Sequence, residues 1–212
     1  MRIISISNQK GGVGKTTTTV NLAASLAVNK KKVLLIDLDP QGNATSGAGL
    51  NKAVLSSSIY DVLIEQKTIK DVVLHSEDGL FDVAPANQSL AGAEIELVDI
   101  KNREFILKKA IETLALNYDF ILIDCPPALN LLTVNALVAS NSVLIPMQCE
   151  YYALEGLSDL VNTIRRVKKN LNPEIEIEGL LRTLFDKRNT LTKQVSDQLS
   201  SHFGPKVYET II

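Results

Sequence analysis

The sequence has 212 residues, of which 45% are hydrophobic and 22% are charged, and its formal net charge at neutral pH is −2. This length favours one domain with a substantial core, and the near-neutral charge excludes a chain-wide attraction to nucleic acid. No run approaches the roughly 18 uninterrupted apolar residues that a membrane-spanning helix needs. The chain starts with strand-like sequence, which predicts no signal peptide. We also expect no association with a membrane.

The two cysteines, Cys125 and Cys149, each follow an apolar run, and their spacing is unlike a C-x-x-C motif. Small thiols commonly fill protein cores, and free cysteines fit a reducing compartment. The sequence also lacks the cysteine clusters that hold an iron–sulfur centre. We therefore expect a cytoplasmic protein with two buried thiols.

The first predicted strand, Arg2–Ser7, leads into the segment Asn8–Thr17, which has the composition of a phosphate-binding loop. Glycines let backbone N–H groups turn inward around phosphate oxygens, and a following helix N-terminus favours anions. A lysine in such a loop neutralises phosphate charge, and the hydroxyl after it ligates Mg²⁺. The predicted ATP-binding residues are Lys10, Gly11, Gly12, Val13, Gly14, Lys15, Thr16 and Thr17, with Lys15 on the phosphates and Thr16 on the metal.

The loop departs from the common motif G-x-x-x-x-G-K-[ST], which would place a glycine where this chain has Gln9. A second lysine, Lys10, instead precedes the double glycine. The run Lys10–Thr16 resembles the deviant phosphate loop of the ParA, MinD and nitrogenase-iron-protein class of ATPases, which are P-loop NTPases. In that class the early lysine reaches across a dimer to the partner's nucleotide, so the resemblance implies a catalytic role in trans for Lys10.

Strand-like and helix-like segments alternate along the whole chain. This pattern is typical of a single-domain α/β fold in which helices cover both faces of a mostly parallel, twisted sheet. The periodicity predicts further strands at Lys32–Ile36, Leu80–Ala84, Phe120–Asp124, Ser142–Pro146, Ile177–Leu184 and Val207–Ile211, and helices near Thr17–Asn29, Ile59–Ile64, Glu104–Leu116, Leu131–Ser140, Leu154–Asn170 and Leu191–His202.

Five prolines, at positions 40, 85, 126, 127 and 146, follow predicted strands and mark one edge of the sheet. Ligands of open α/β sheets bind at the carboxyl ends of the strands. We therefore expect the phosphate loop to meet Asp37–Pro40, Asp124–Pro127 and Pro146–Glu150 at this edge. The segment Gly42–Ser58, rich in Gly, Ser, Asn and Ala, is predicted to be the most mobile loop.

Two of the predicted strands end in carboxylates that suit a magnesium and nucleotide site. Asp37 and Asp39 lie two residues apart, so their side chains share one side of an extended segment. Asp124 ends an apolar strand in the Walker B arrangement, in which a buried strand fixes a carboxylate for Mg²⁺. We predict Thr16 and Asp124 on the metal side, with one carboxylate of the pair Asp37 and Asp39 supporting the metal shell and the other orienting an attacking water. The resemblance to ParA-type ATPases implies that Asp37 is the metal-side residue and that Asp39 positions the water, with Lys10 and Lys15 as its catalytic companions.

Longer stretches make the resemblance specific to ParA/Soj chromosome- and plasmid-partition ATPases. Residues 37–45, 84–87, 124–137 and 145–157 are similar to the corresponding segments of that family, and the likeness covers essentially the whole sequence. The pair Pro40-Gln41 is similar to partition ATPases and unlike the MinD branch.

This family membership would imply an ATP-dependent homodimer that hydrolyses ATP slowly with Mg²⁺. Such a dimer binds duplex DNA without sequence preference, is stimulated by a ParB-type partner and associates with the nucleoid. Family members continue beyond the position of Ile212 with an arginine-bearing loop and a final helix. We therefore expect residues 1–212 to form the ATPase domain without that C-terminal segment.

Basic residues late in the chain are the candidates for DNA contacts. Dimerisation would double a basic patch and make weak phosphate contacts add up to salt-dependent binding. The basic candidates are Arg165, Arg166, Lys168, Lys169, Arg182, Lys187, Arg188 and Lys193, of which Arg188 and Lys193 are preferred.

Two alternatives to DNA partition stay open. One is a MinD-like membrane-surface positioning ATPase, and the other is an orphan ParA-like ATPase that positions a protein cargo on the nucleoid.

Overall fold

Strands and helices alternate along the chain, as the periodicity predicts. The computed structural model describes residues 1–114, 117–151 and 153–212. The strands are β1 (Arg2–Ile6), β2 (Val33–Asp37), β3 (Leu74–Ser76), β4 (Phe81–Ala84), β5 (Phe120–Asp124), β6 (Ser142–Gln148), β7 (Glu176–Thr183) and β8 (Val207–Ile211). The α-helices are α1 (Lys15–Val28), α2 (Asn43–Gly47), α3 (Ile59–Leu63), α4 (Ile69–Val72), α5 (Leu90–Glu96), α6 (Ile106–Glu112), α7 (Leu131–Ala139), α8 (Ala153–Asn170) and α9 (Thr190–Phe203).

The strands form one sheet in the order β3-β4-β2-β5-β1-β6-β7-β8. All neighbouring pairs are parallel except β3 and β4, which are antiparallel. The register of the central strands aligns their ends, because both Ile6 and Asp37 lie opposite Asp124. This alignment brings the carboxyl ends of β1, β2 and β5 to one place at the edge of the sheet.

The core lies on both faces of the sheet, because successive side chains of each central strand point to opposite sides. In β2, Leu34 and Ile36 join the apolar layer beneath α3 to α7, whereas Leu35 joins the layer beneath α1 and α2. A third apolar layer packs α8 and α9 against β6 and β7. The expected mostly parallel sheet with helices on both faces is confirmed. Every helix of the described residues is too short or too polar to cross a bilayer.

Several elements differ from the sequence-based prediction. The edge strand β3 and the helices α4 and α5 had no predicted counterpart. The predicted helix Glu104–Leu116 is a turn of 3-10 helix at Arg103–Phe105 followed by the shorter α6, and residues 115 and 116 lie outside the described residues.

The segment Gly42–Ser58 is not the irregular loop that its composition suggested. It contains α2 and a 3-10 turn at Lys52–Val54. Thr45 of α2 is fully buried and bonds to Asp37, so a tertiary contact holds this helix against the sheet.

Candidate nucleotide-binding site

The predicted site segments converge at the carboxyl edge of the sheet. The backbone N–H of Leu38 donates to the carbonyl of Asp124 at 2.9 Å, which joins the ends of β2 and β5. The side-chain Nδ2 of Asn8 donates to the carbonyl of Pro146 at 2.7 Å, which joins the end of β1 to β6. The convergence expected from the prolines and strand ends is therefore confirmed.

The phosphate loop has the backbone that its glycines predict. Gly12 and Gly14 adopt φ values of +73° and +83°, in the left-handed region that favours glycine. Gly14 occupies the cap position of α1 and has no side chain to offer the helix. The first N–H groups of α1 therefore stay available for an anion, and the helix dipole favours negative charge there.

The two lysines of the loop are held differently. Lys15 is only 7% exposed, and its Nζ donates to the carbonyl oxygen of Lys10 at 2.9 Å. Burial lowers the pKa of Lys15, while the nearby Asp124 opposes that shift. The Lys10 side chain is 40% exposed and forms an ion pair with Glu150, in the connection between β6 and α8. One lysine thus lies inside the loop and the other at its rim.

Asp124 is tied to the first turns of α1. Its Oδ2 accepts a hydrogen bond from Thr16 Oγ1 at 2.8 Å, and its Oδ1 lies 2.9 Å from Thr19 Oγ1. Thr19 follows Lys15 by one helical turn, so both residues lie on the same face of α1. The structure therefore brings two of the three predicted metal ligands, Thr16 and Asp124, into direct contact.

Asp37 and Asp39 have different surroundings. Asp37 is fully buried, and its Oδ2 accepts hydrogen bonds from Thr45 N at 2.8 Å and Thr45 Oγ1 at 2.7 Å. Its Oδ1 accepts from the N–H of Asp39 at 3.1 Å. Asp39 is half-buried, and its carboxylate caps the N–H of Gln41 at 2.9 Å. Asp37 therefore anchors the turn that presents Asp39.

The charges at this edge suit a bound cation with phosphates. Burial raises the pKa of Asp124 to about 7, with a further contribution from Asp37. Burial also raises the pKa of Asp37 to about 6, against the opposing hydrogen bonds from Thr45. Two buried carboxylates close to one another are stabilised when a divalent cation neutralises them. Mg²⁺ needs only a few protein ligands when phosphates and water supply the rest, so Thr16 and Asp124 fit its requirements.

Four contacts of the site lie outside the residues that sequence reasoning selected. Thr19 reaches Asp124, Thr45 holds Asp37, Asn8 caps the N–H of Lys10 at 3.0 Å, and Glu150 pairs with Lys10. Thr19 could have been found from its helical spacing after Lys15. The Asn8 cap joins residues only two apart and is a local turn contact. The contacts of Thr45 and Glu150 depend on the fold and are reported by no local pattern.

The candidate DNA residues lie on α8, near the end of β7, on the β7–α9 connection and on α9. Arg188 is highly exposed and pairs with Asp186, and Lys193 is exposed on the first turns of α9. Arg182 is engaged inside the fold, where it donates to Ser196 Oγ at 2.9 Å and to the carbonyl of Tyr208 at 2.6 Å. Arg182 therefore ties β7 to α9 and β8, and its guanidinium is not presented to a ligand.

Comparison with known proteins identifies the family. The family model described as an AAA domain matches residues 1–177. The chain is 56% identical over 211 residues to the sporulation initiation inhibitor protein Soj of Bacillus subtilis, covering 100% of this chain and 83% of Soj. It is 53% identical over 211 residues to the chromosome partitioning protein ParA of Myxococcus xanthus, covering 100% of this chain and 75% of that protein.

Solved structures agree with this assignment. A protein described as cobyrinic acid a,c-diamide synthase from Mycobacterium smegmatis, bound to an ATP analogue and magnesium, superposes with a TM-score of 0.91 at 37% identity, covering 99% of this chain and 83% of that one. A plasmid partition protein from Borrelia burgdorferi superposes with a TM-score of 0.80 at 35% identity, covering 94% of this chain and 85% of that one. With the phosphate loop and the aspartates at the strand ends, these similarities show that the chain belongs to the ParA/Soj family of partition ATPases.

Proposed function

We propose that this chain is an ATP-operated dimerising switch that binds DNA non-specifically and segregates a chromosome or plasmid with a ParB-type partner. The names of its Soj and ParA relatives support the partition role. The neighbours from M. smegmatis, bound to an ATP analogue or ADP with magnesium, support ATP and Mg²⁺ as cofactors. Their name suggests a biosynthetic reaction, but their identity of 37% is well below the 56% to Soj.

The observation that carries the proposal is the different placement of the two lysines of the phosphate loop. Lys15 is buried within the loop, whereas Lys10 lies at the exposed rim. Two triphosphates that face each other across a two-fold axis need cations from both subunits. Lys15 is placed to bind the phosphates of the nucleotide held by its own chain. Lys10 is placed to bind the phosphates of a partner's nucleotide once its ion pair with Glu150 is broken.

Gly11 supports a close approach by a second chain. Its φ lies outside the left-handed region, and a Cβ built on it meets no heavy atom of the described residues within 4 Å. The described part of the chain thus gives neither a conformational nor a steric reason for glycine at this position. A partner or nucleotide packed against the loop would give one.

We assign the chemistry to residues at the carboxyl edge of the sheet. Phosphoryl transfer depends mainly on positioning and on stabilising charge. Lys15 and the N–H groups of the loop would hold the phosphates, Thr16 and Asp124 would hold Mg²⁺, and Asp37 would support the metal shell while anchoring the turn of Asp39. Asp39 would orient the attacking water. Mg²⁺, when bound, neutralises charge on the phosphates.

DNA binding, in this proposal, follows from dimerisation. Arg188 and Lys193 would each occur twice in the closed dimer, and paired weak phosphate contacts raise the overall affinity. A ParB-type partner would stimulate hydrolysis and release the DNA, so the protein would move on and off the nucleoid with its nucleotide state.

The test measures binding of the purified protein to a non-specific DNA duplex without nucleotide, with ADP and with ATP, at two salt concentrations. We expect binding with ATP alone, and the doubly substituted Arg188→Ala, Lys193→Ala variant should bind more weakly with a smaller salt dependence. Anionic vesicles in place of DNA serve as the comparison. Equal DNA binding in all nucleotide states, or ATP-dependent binding to vesicles instead, would contradict the proposal.

A further inference from the structure

A residue far from the phosphate loop in sequence holds the middle of that loop. Thr183, the last residue of β7, donates a hydrogen bond from its Oγ1 to the carbonyl oxygen of Val13 at 2.8 Å. Thr183 is 3% exposed and Val13 is 1% exposed, so the bond is shielded from water. Shielding matters because a buried carbonyl without a partner is costly.

The geometry of the peptide unit gives this bond a consequence for the nucleotide. The carbonyl of Val13 and the N–H of Gly14 belong to one planar trans peptide and point in opposite directions. A group that fixes the carbonyl therefore also fixes the direction of the N–H. We infer that Thr183 is a positioning residue, whose hydroxyl orients the Val13–Gly14 peptide so that the Gly14 N–H is presented to the phosphates of the nucleotide. This inference rests on the proposed nucleotide-binding function.

Gly14 needs such support because of its conformational freedom. Glycine has access to a wide range of backbone angles, and Gly14 adopts a φ of +83°. The Thr183 methyl group also abuts this position, since a Cβ built on Gly14 would lie 3.7 Å from Thr183 Cγ2. The hydroxyl of Thr183 thus bonds to Val13, and its methyl group borders the position that a side chain of residue 14 would occupy.

Thr183 is itself firmly placed. It pairs in parallel register with Gln148 at the end of β6. The next residue, Leu184, has a φ of +51°, in the left-handed region that non-glycine residues rarely adopt. Backbone strain of this kind persists where surrounding contacts impose it, and it is concentrated at functional sites. The end of β7 is therefore a rigid support from which one hydroxyl reaches the loop.

The experiment measures ADP binding, in the presence of Mg²⁺, by isothermal titration calorimetry for three variants of the full chain. Thr183→Val keeps the shape of the side chain and removes the donor, and we expect about tenfold weaker binding, the equivalent of one hydrogen bond. Thr183→Ser keeps the hydroxyl and should bind within about twofold of the unsubstituted protein. Ser76→Ala is the matched control, because Ser76 is 1% exposed and donates to the carbonyl of Ala48 at 2.7 Å on the far edge of the sheet.

A spectroscopic readout separates positioning from a general loss of stability. In ¹⁵N-labelled protein, the amide signal of Gly14 should shift on addition of ADP, and this shift should be reduced in Thr183→Val and retained in Thr183→Ser. Thermal melts establish that each variant is folded at the temperature of the titration. If Thr183→Val does not fold, Thr183→Ala, which cannot crowd the loop, replaces it.

Each result decides between the inference and the function on which it rests. Thr183→Val binding ADP as tightly as the unsubstituted protein, with the same Gly14 shift, overturns the inference and leaves the proposed function intact. Equal weakening in Thr183→Val and Ser76→Ala also overturns it, because the effect is then one of stability. Failure of the unsubstituted protein to bind ADP overturns both.

Discussion

Thr16 Oγ1 donates to Asp124 Oδ2 at 2.8 Å, and this bond joins the start of α1 to the end of β5 across 108 residues of sequence. The phosphate loop and the Walker B strand are recognised separately in the sequence, and here they share one hydrogen bond. Thr16 and Asp124 would hold Mg²⁺ together, and the ion would supply positive charge beside the buried carboxylate. The hydrogen bond therefore keeps the two proposed metal-side groups next to one another.

The acidity of Asp124 gives a prediction about stability and pH. Burial raises the pKa of Asp124 to about 7, so the folded chain binds this proton more tightly than the unfolded chain. The stabilisation of the folded state by the protonated Asp124 carboxyl is fully present below about pH 4, and it is lost as the pH rises through about 7. Between pH 5.5 and 7 we expect the free energy of unfolding of the nucleotide-free protein to fall by about 2 kcal/mol on account of this group.

Urea denaturation at several pH values measures the slope of the free energy of unfolding against pH. Asp124→Asn should make the slope shallower, with the remainder contributed by Asp37, whose pKa burial raises to about 6. Asp78→Asn, at an exposed position, should leave the slope unchanged. Mg²⁺ with ADP should also flatten the slope, because the cation holds Asp124 ionised at lower pH. An unchanged slope in Asp124→Asn would assign the pH dependence to other groups.

Lys15→Ala should abolish nucleotide binding. The substitution removes a buried ammonium group from the loop, and charged hydrogen bonds to phosphate are strong. We expect the affinity for ADP and ATP to fall by more than about 100-fold, or ~2.7 kcal/mol, in a fluorescent-nucleotide titration. Lys32→Ala, at an exposed position, is the control. Retention of ATP affinity by Lys15→Ala would rule out the role assigned to Lys15.

Asp39→Ala should separate binding from hydrolysis. Asp39 caps the N–H of Gln41 but is not part of the phosphate loop, so nucleotide affinity and ATP-dependent dimerisation should persist. Loss of a group that positions water should lower the steady-state rate of phosphate release by about 100-fold. The rate is compared with that of Asp78→Ala. If Asp39→Ala turns over ATP at the unsubstituted rate, another residue orients the water.

Gly11→Val should bind nucleotide as a monomer. The added side chain meets open space in the described part of the chain, so we expect no effect on folding. It would obstruct a second subunit, and light scattering in the presence of ATP should show a monomer where the unsubstituted protein shows a dimer. Lys10→Ala should give the same result by removing the cation supplied in trans.

Gly92→Ala is the matched control for this experiment. A Cβ at Gly92 makes only ordinary contacts on α5, so this variant should dimerise normally. An ATP-dependent dimer formed by both Gly11→Val and Lys10→Ala would refute the trans-lysine interpretation.

Much of the site could be predicted from sequence because its signals are local. The glycines and lysines of Lys10–Thr16 and the aspartates that end β2 and β5 are each recognisable within a few residues. The topology of a parallel sheet then brings the strand ends together. The contacts that Thr45, Glu150 and Thr183 make with these segments required the structure.

The contents of Gly42–Ser58 could not be predicted, because tertiary contacts override its composition. Glycine, serine and asparagine are weak helix formers, yet α2 forms there. A Cβ on Gly42 would lie 2.7 Å from the carbonyl oxygen of Ala86, so close backbone packing fixes the start of the helix. The bonds from Thr45 to the buried Asp37 then hold it in place.

Strand β6 also extends further than the sequence predicts, since the pattern places its end at Pro146. In the structure β6 continues to Gln148 in pairing with β7. The pairing of β6 with β1 has already ended, with Leu144 opposite Ile6. A proline can therefore occupy this position without breaking the sheet, and its carbonyl accepts the side chain of Asn8 instead.

The central position of β1 constrains how the protein can be made. β1 leaves the ribosome well before either of its neighbours, because Arg2 pairs with Phe120 and Ile4 pairs with Ser142. At a synthesis rate of about 5–20 residues per second, the first strand waits on the order of 10–30 s for both of its neighbours. During that time its apolar residues and open edges are exposed to the cell. A nascent chain that ends before β6 therefore lacks a finished sheet, and we expect it to depend on chaperones while the rest is translated.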